Sequence, residues 1–165
     1  MAHFPLKFNR RPPLRNHPIV AGEPKKLPPL AANNIRIITL GGVEEIGKNC
    51  TAIEIGQDII VIDIGLAFPT DQTPGVDYII PDITYLEENK ERVRGVIITH
   101  GHLDHTGGIP YVMSRIGNPP LYTRNLTSLF IKKRMDEFPH LPTLNMMVVE
   151  NETKLKLGEQ TIRFF

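Results

Sequence analysis

The sequence predicts an α/β sandwich, a mixed β-sheet with helices packed against it. Three observations carry that reading. Runs rich in β-branched residues, such as 58–65 (DIIVIDIG), read as buried strands, and two other stretches place apolar residues at helical spacing. The connections are also mixed, some tight turns and some long enough to hold a helix. A chain of 165 residues suffices for one domain around one core.

In chain order, 35–40 (IRIITL) alternates and is β-branched, as is 50–55 (CTAIEI), and 58–65 is a near-continuous apolar run. The turn at 56–58 (GQD) joins the last two as a hairpin, so these read as three strands of one sheet. The segment 66–82 has no clear period, and connections of that length are often functional loops. Thr84 and Glu87 form a capping-box pattern at the start of a short helix, and 95–100 (GVIITH) is a buried strand. Ile109, Val112, Met113 and Ile116 then fall on one helical face, with Gly117 placed to end that helix. A short strand at 120–123 (PLYT) precedes a helix over 125–138, begun by Asn125 and stopped before Pro139. The runs 144–150, 153–158 and 160–165 read as strands, the last two a hairpin around Gly158 and Glu159. Ile162, Phe164 and Phe165 are expected to lack cover.

Charge is distributed unevenly around a net value of +1. Residues 1–34 hold six Lys or Arg against the single acid Glu23, and seven of the fifteen prolines. This composition predicts a disordered basic, Pro-rich arm. It serves either as a solubilising tail or as an electrostatic arm for a polyanion such as RNA. The lack of serine richness argues against an organellar transit peptide. No apolar run reaches the roughly 18 residues of a membrane span, and no signal-peptide core is present, so no membrane association is expected. The single cysteine, Cys50, excludes an internal disulfide and fits a reducing cytoplasm.

Residues 98–108 read ITHGHLDHTGG, and His100, His102, Asp104 and His105 fall within six residues of a chain with six histidines. Imidazole and carboxylate are ligands that Zn²⁺ accepts and Mn²⁺ tolerates. A strand ending at Thr99 releases the backbone into a turn, where neighbouring side chains converge instead of alternating across a sheet. Gly107 and Gly108 let the following helical turn lie close to a neighbouring strand. Four candidate ligands are too many for one catalytic ion with an open position and suit two ions with two donors each. Two ions about 3.5–4 Å apart clamp an in-line displacement at phosphorus. Histidines serving ordinary hydrogen bonds would not gather this densely. The cluster reads as a metal site.

His-x-His-x-Asp-His after an apolar strand, followed by Gly-Gly, resembles the signature of the metallo-β-lactamase superfamily. Residues 40–50 (LGGVEEIGKNC), 61–112 and 120–135 (PLYTRNLTSLFIKKRM) are similar to the amino-terminal part of the ribonuclease J family. That resemblance covers 35–165 and implies a partial αββα sandwich. It implies that His100 and His102 hold one metal and Asp104 and His105 the other, with Asp104 also orienting the attacking water. Asp63, at the end of the third strand, would support the motif loop from behind the ligands; read alone, it is equally a turn-former. The ions would be two divalent metals, Zn²⁺ first, with Mn²⁺ or Mg²⁺ as alternatives. Loop 41–49 (GGVEEIGKN) would lie beside them, with Glu45 and Asn49 ordering the site or contacting substrate. A dinucleotide loop is rejected, because a strand and not a helix follows.

Ribonuclease J proteins run to several hundred residues, with an inserted β-CASP domain and a further carboxy-terminal region. In that family a third histidine, a bridging aspartate and a late histidine complete the two metal sites, at positions beyond 165. His140 sits in 137–143 (EFPHLPT) and reads as a surface-loop residue. The expectation is an arm at 1–34, then the amino-terminal part of a metallo-β-lactamase domain at 35–165, truncated before the later ligands and inactive alone. For the complete protein the resemblance implies 5′-to-3′ exonuclease and endonuclease action on RNA, in the cytoplasm, and a homo-oligomer. The alternatives are a superfamily hydrolase of a small ester or thioester, or a non-catalytic RNA-binding fragment. The arm is directly testable. If it binds RNA, deleting residues 1–30 lowers both affinity and its salt dependence in filter-binding assays; unchanged values leave it a tail.

Overall fold

The computed structural model describes residues 27–71 and 73–165, so residues 1–26 of the arm expected over 1–34 lie outside the described residues. Residues 27–34 contain only a turn. Strands β1 (Ile35–Gly41), β2 (Cys50–Ile55) and β3 (Asp58–Ile62) form an antiparallel meander. Helix α1 (Thr84–Glu88) and a 3-10 turn then lead to β4 (Val93–Ile97), parallel to β3. Short helices α2 (Leu103–Thr106) and α3 (Ile109–Val112) precede β5 (Leu121–Thr123). Helix α4 (Asn125–Met135) and β6 (Met146–Val148) complete a six-stranded sheet in sequence order. The hairpin of β7 (Lys154–Leu157) and β8 (Gln160–Arg163) is a second, two-stranded sheet.

Alternation along the strands sorts the apolar residues onto two faces. Ile59, Val61, Val96, Ile98 and Leu121 point to one face, against Leu86, Ile109, Val112, Met113, Ile116 and Ile131 from the helical side. Ile60, Ile62, Ile97 and Tyr122 point to the other, where the β7–β8 hairpin lays Leu155, Leu157 and Ile162 over them. The hairpin covers only part of that face. Ile35 and Ile37 on β1 are 62% and 68% exposed, and cross-strand pairing sets them beside Ile55 and Ile53. Ile162 and Phe164 pack against this second cluster, contrary to expectation, because the hairpin folds back onto the sheet. Phe165 alone of the three is left outside, 94% exposed.

Several local readings shift. The capping box does not form: Ile83 is the N-cap, and Asp82 Oδ1 instead accepts from Thr84 N at 3.1 Å and Thr84 Oγ1 at 2.7 Å. A carboxylate two residues upstream reaches the helix start better than the threonine does. The helix expected from Ile109 closes after one turn and relaxes into turns before Gly117, although its four apolar residues are all buried. Likewise α4 starts with Asn125 inside it and Arg124 as N-cap, and ends at Met135, three residues before Phe138.

Strands β3, β4 and β5 are parallel, so their carboxyl ends meet at one edge of the sheet, where open α/β folds place their sites. The opposite edge is locked by ion pairs. Glu54, almost fully buried, binds Arg36 Nη1 at 2.7 Å and Arg92 Nη2 at 2.5 Å. Asp58 takes Arg94 Nε at 2.6 Å and the Glu159 backbone N–H at 2.7 Å, which ties the hairpin turn to the main sheet. Burial pushes both carboxyls up, but the arginine contacts outweigh it and hold both below the ordinary carboxylate range. Their contribution is therefore complete at neutral pH and is lost as pH falls through the lowered folded values. Glu54→Ala strands two part-buried guanidiniums and should cost about 2–4 kcal/mol in urea denaturation at pH 7. The stability gap between wild type and Glu54→Gln should narrow on acidification below about pH 4.

Candidate metal centre

The site begins where β3 stops. Asp63 follows with φ of +61°, a left-handed conformation that aspartate tolerates better than most residues. Its backbone N–H continues the ladder to Ile97 O at 2.9 Å, and its carboxylate, in a residue 5% exposed, turns toward the end of β4. There Oδ1 accepts from Thr99 N at 2.8 Å, and Thr99 Oγ1 lies 3.0 and 2.9 Å from the two carboxylate oxygens. Oδ2 also accepts from His105 Nδ1 at 2.8 Å.

The chain after Asp63 threads between two other segments. Ile64 N and Leu66 N donate to His105 O (2.9 Å) and Leu103 O (3.1 Å), while Gly65 N donates to Asn49 O (2.8 Å). A Cβ at Gly65 would lie 1.7 Å from Asp104 O, and one at Gly108 would lie 2.5 Å from Gly65 O. The motif loop thus sits directly on the strand end, as the paired glycines suggested.

These contacts select the tautomers of two histidines. A carboxylate only accepts, so His105 donates from Nδ1, and as the neutral imidazole that can ligate a metal it presents a lone pair at Nε2. Thr99 gives its hydroxyl proton to Asp63, so its oxygen accepts from His100 Nδ1 at 3.0 Å. His100 likewise presents its Nε2 lone pair. His100 Nε2 lies 3.2 Å from His102 Nδ1, and His105 Nε2 lies 3.3 Å from Asp104 Oδ2. Two ligand atoms about 2.0–2.2 Å from a tetrahedral ion are roughly 3.3–3.6 Å apart, so the pairs lie at, or about a tenth of an ångström inside, ligand spacing. Among the described residues no three His, Cys, Asp or Glu side chains converge as a ready metal cage. The donors come as two pairs, linked by the His100 and His105 rings at 4.0 Å between centroids.

Of the two loop residues, Asn49 reaches the cluster, with Nδ2 3.1 Å from Asp104 Oδ2 and 3.3 Å from His105 Nε2. Glu45 is engaged within its own loop, accepting from Gly42 N at 3.0 Å and pairing with Lys48 at 3.0 Å. The Gly42 N–H and the lysine hold its carboxyl below the usual range. His140 is exposed, with its ring beside Phe138. Sequence reasoning missed Thr99. Its signal was its place, the last residue before the first histidine, where a hydroxyl reaches both a strand-end carboxylate and an imidazole.

The sequence profile of the metallo-beta-lactamase superfamily matches residues 43–160. The chain belongs to the metallo-β-lactamase superfamily. Membership implies divalent metal ions, and the nitrogen and oxygen donors of the two pairs fit them. The chain is 38% identical over 128 residues to "Ribonuclease J" of Synechocystis, covering 78% of this chain and 20% of that protein. It is 36% identical over 132 residues to "Ribonuclease J2" of Bacillus subtilis, covering 80% and 24%. The chain thus spans a fifth to a quarter of the length of the curated relatives it matches. A solved protein of unknown function from Enterococcus faecalis shares the fold at 18% identity and TM-score 0.54, over 76% of this chain and 36% of that one. Among the described residues no helix is long and apolar enough to cross a membrane.

If Thr99 fixes the His100 proton, Thr99→Val shifts His100 toward the Nε2–H tautomer in long-range ¹H–¹⁵N spectra and leaves His105 on Nδ1. The lost hydroxyl should cost about 1 kcal/mol of stability.

Proposed function

We propose that this chain carries the first ligands of a metal-dependent ribonuclease that hydrolyses RNA phosphodiesters, by 5′-to-3′ exonuclease and endonuclease action in the whole protein. The reading rests on the two ligand-spaced donor pairs at the carboxyl edge of the parallel strands. The similarity to proteins named ribonuclease J supports RNA as substrate. His100 and His102 bind one ion, and Asp104 and His105 the other. Nitrogen-rich donors favour Zn²⁺, with Mn²⁺ or Mg²⁺ as the alternatives. Two such ions supply an acidified water nucleophile and positive charge for the attacking and leaving oxygens at phosphorus.

The chain's own residues prepare that chemistry. Asp63 and Thr99 retain the Nδ1 protons of His105 and His100, so the lone pairs open toward the ions. Asp104 has a second carboxylate oxygen with which to orient the attacking water. Glu45 keeps loop 41–49 folded over the site through Gly42 and Lys48. The setting is the cytoplasm, where a thiol such as buried Cys50 stays reduced, and the whole protein assembles as a homo-oligomer.

Within the 165 residues each ion has two protein donors, where catalytic sites ordinarily supply three. The chain alone should therefore bind metal weakly and leave 5′-labelled single-stranded RNA intact with excess Mn²⁺ or Zn²⁺. Cleavage that disappears in His100→Ala would overturn the two-donor account. His102→Ala with Asp104→Ala leaves one donor per pair and should abolish metal binding in calorimetric titration. Binding of two ions by that double variant would sink the ligand assignment.

A further inference from the structure

We infer that Asn49 is a positioning residue for the Asp104–His105 pair, holding the two at ligand spacing before an ion arrives and thereby setting their affinity for it. This rests on the metal-site reading above. In the neutral imidazole that can ligate an ion, His105 keeps its proton on Nδ1 at Asp63, so Nε2 faces Asp104 Oδ2 across 3.3 Å with no proton between them. A lone pair and a carboxylate oxygen at that distance repel unless positive charge lies between or beside them. The Asn49 side-chain amide supplies it. Nδ2 lies 3.1 Å from Asp104 Oδ2, 3.3 Å from His105 Nε2 and 3.0 Å from Asp104 O, and its two N–H groups serve these acceptors. The amide thus provides in part the positive charge that an ion provides in full.

The placement of Asn49 is built into the backbone. Asn49 N donates to Asp104 O at 2.9 Å, and its carbonyl accepts from Gly65 N at 2.8 Å, so its main chain is fixed on both sides. Gly42, at φ of +86°, packs against the amide: a Cβ there would lie 2.3 Å from Asn49 Oδ1. That contact holds the amide oxygen on the loop side, with the nitrogen toward the ligands. The two residues joined are 55 positions apart in the chain, and the bond spans the seam between loop 41–49 and the motif.

The test isolates the second pair. In a chain carrying His100→Ala and His102→Ala, Mn²⁺ and Zn²⁺ are titrated calorimetrically with Asn49 intact and with Asn49→Leu, which keeps volume and removes both donors. An ion takes the His105 lone pair from the amide, while Asp104 keeps its amide bonds as an outer-sphere partner, so their loss should weaken binding about 10-fold. The ion-free chains are compared by ¹⁵N spectroscopy: the His105 Nε2 resonance should move in Asn49→Leu while the proton stays on Nδ1. Thermal melts show whether the variant is folded, and Asn49→Gln, which keeps the amide, should recover part of the affinity. Equal affinity of Asn49→Leu and its parent overturns the role of Asn49 and leaves the metal reading standing. Two donors bind weakly, so the titrations run to millimolar ion; a parent chain whose His105 resonances do not respond to either ion at that level overturns the metal reading, and this inference with it.

Discussion

The buried carboxylate of Asp63 is the contact on which the site depends. It joins the end of β3 to the end of β4 through Thr99 and to the motif helix through His105. Left-handed backbone at a non-glycine residue costs on the order of 1–3 kcal/mol. Hydrogen bonds to a charged group contribute roughly 1.5–3 kcal/mol each, and Asp63 accepts three, so the conformation is held with margin. Both Nδ1 protons lead back to this carboxylate, one directly and one through a hydroxyl. A single anion thereby fixes the tautomer of two imidazoles, and the direction of their lone pairs follows.

Much of this was legible locally. The β-branched runs placed the strands, the histidine density placed the site, and the paired glycines of the motif announced a close backbone approach. What stayed hidden is non-local. Thr99 acts on a carboxylate 36 positions away, and Asn49 on one 55 away; no window along the chain joins them. The sequence left Asp63 undecided between turn-former and support; its left-handed backbone makes the turn, while its carboxylate bonds Thr99 and His105. The capping residue of α1 was misread for a related reason: Thr84 fits the pattern, but Asp82 lies in reach with full charge. Ile162 and Phe164 were expected to be bare because the hairpin's return to the sheet is set by Asp58, a hundred residues upstream by sequence, through Glu159.

The two edges of the sheet carry opposite electrostatics. At one, every buried carboxylate oxygen of Glu54 and Asp58 meets a guanidinium or an N–H, and that edge serves stability. At the other, His105 Nε2 and Asp104 Oδ2 lie 3.3 Å apart with the Asn49 amide against both. Proteins break local rules at functional positions and offset them elsewhere. Here the two are separated by the length of a strand, so the edge with the histidine cluster keeps its geometry while the far edge holds the sheet together.

The bare half of the hairpin-side face has a consequence of its own. Ile35 and Ile37, flanked by Ile53 and Ile55, present apolar side chains to water on a β1 strand whose outer edge has no partner strand among the described residues. Water's aversion to such a surface weakens on cooling and strengthens on warming. Contacts between copies through this surface are therefore expected to strengthen on warming and to loosen in the cold.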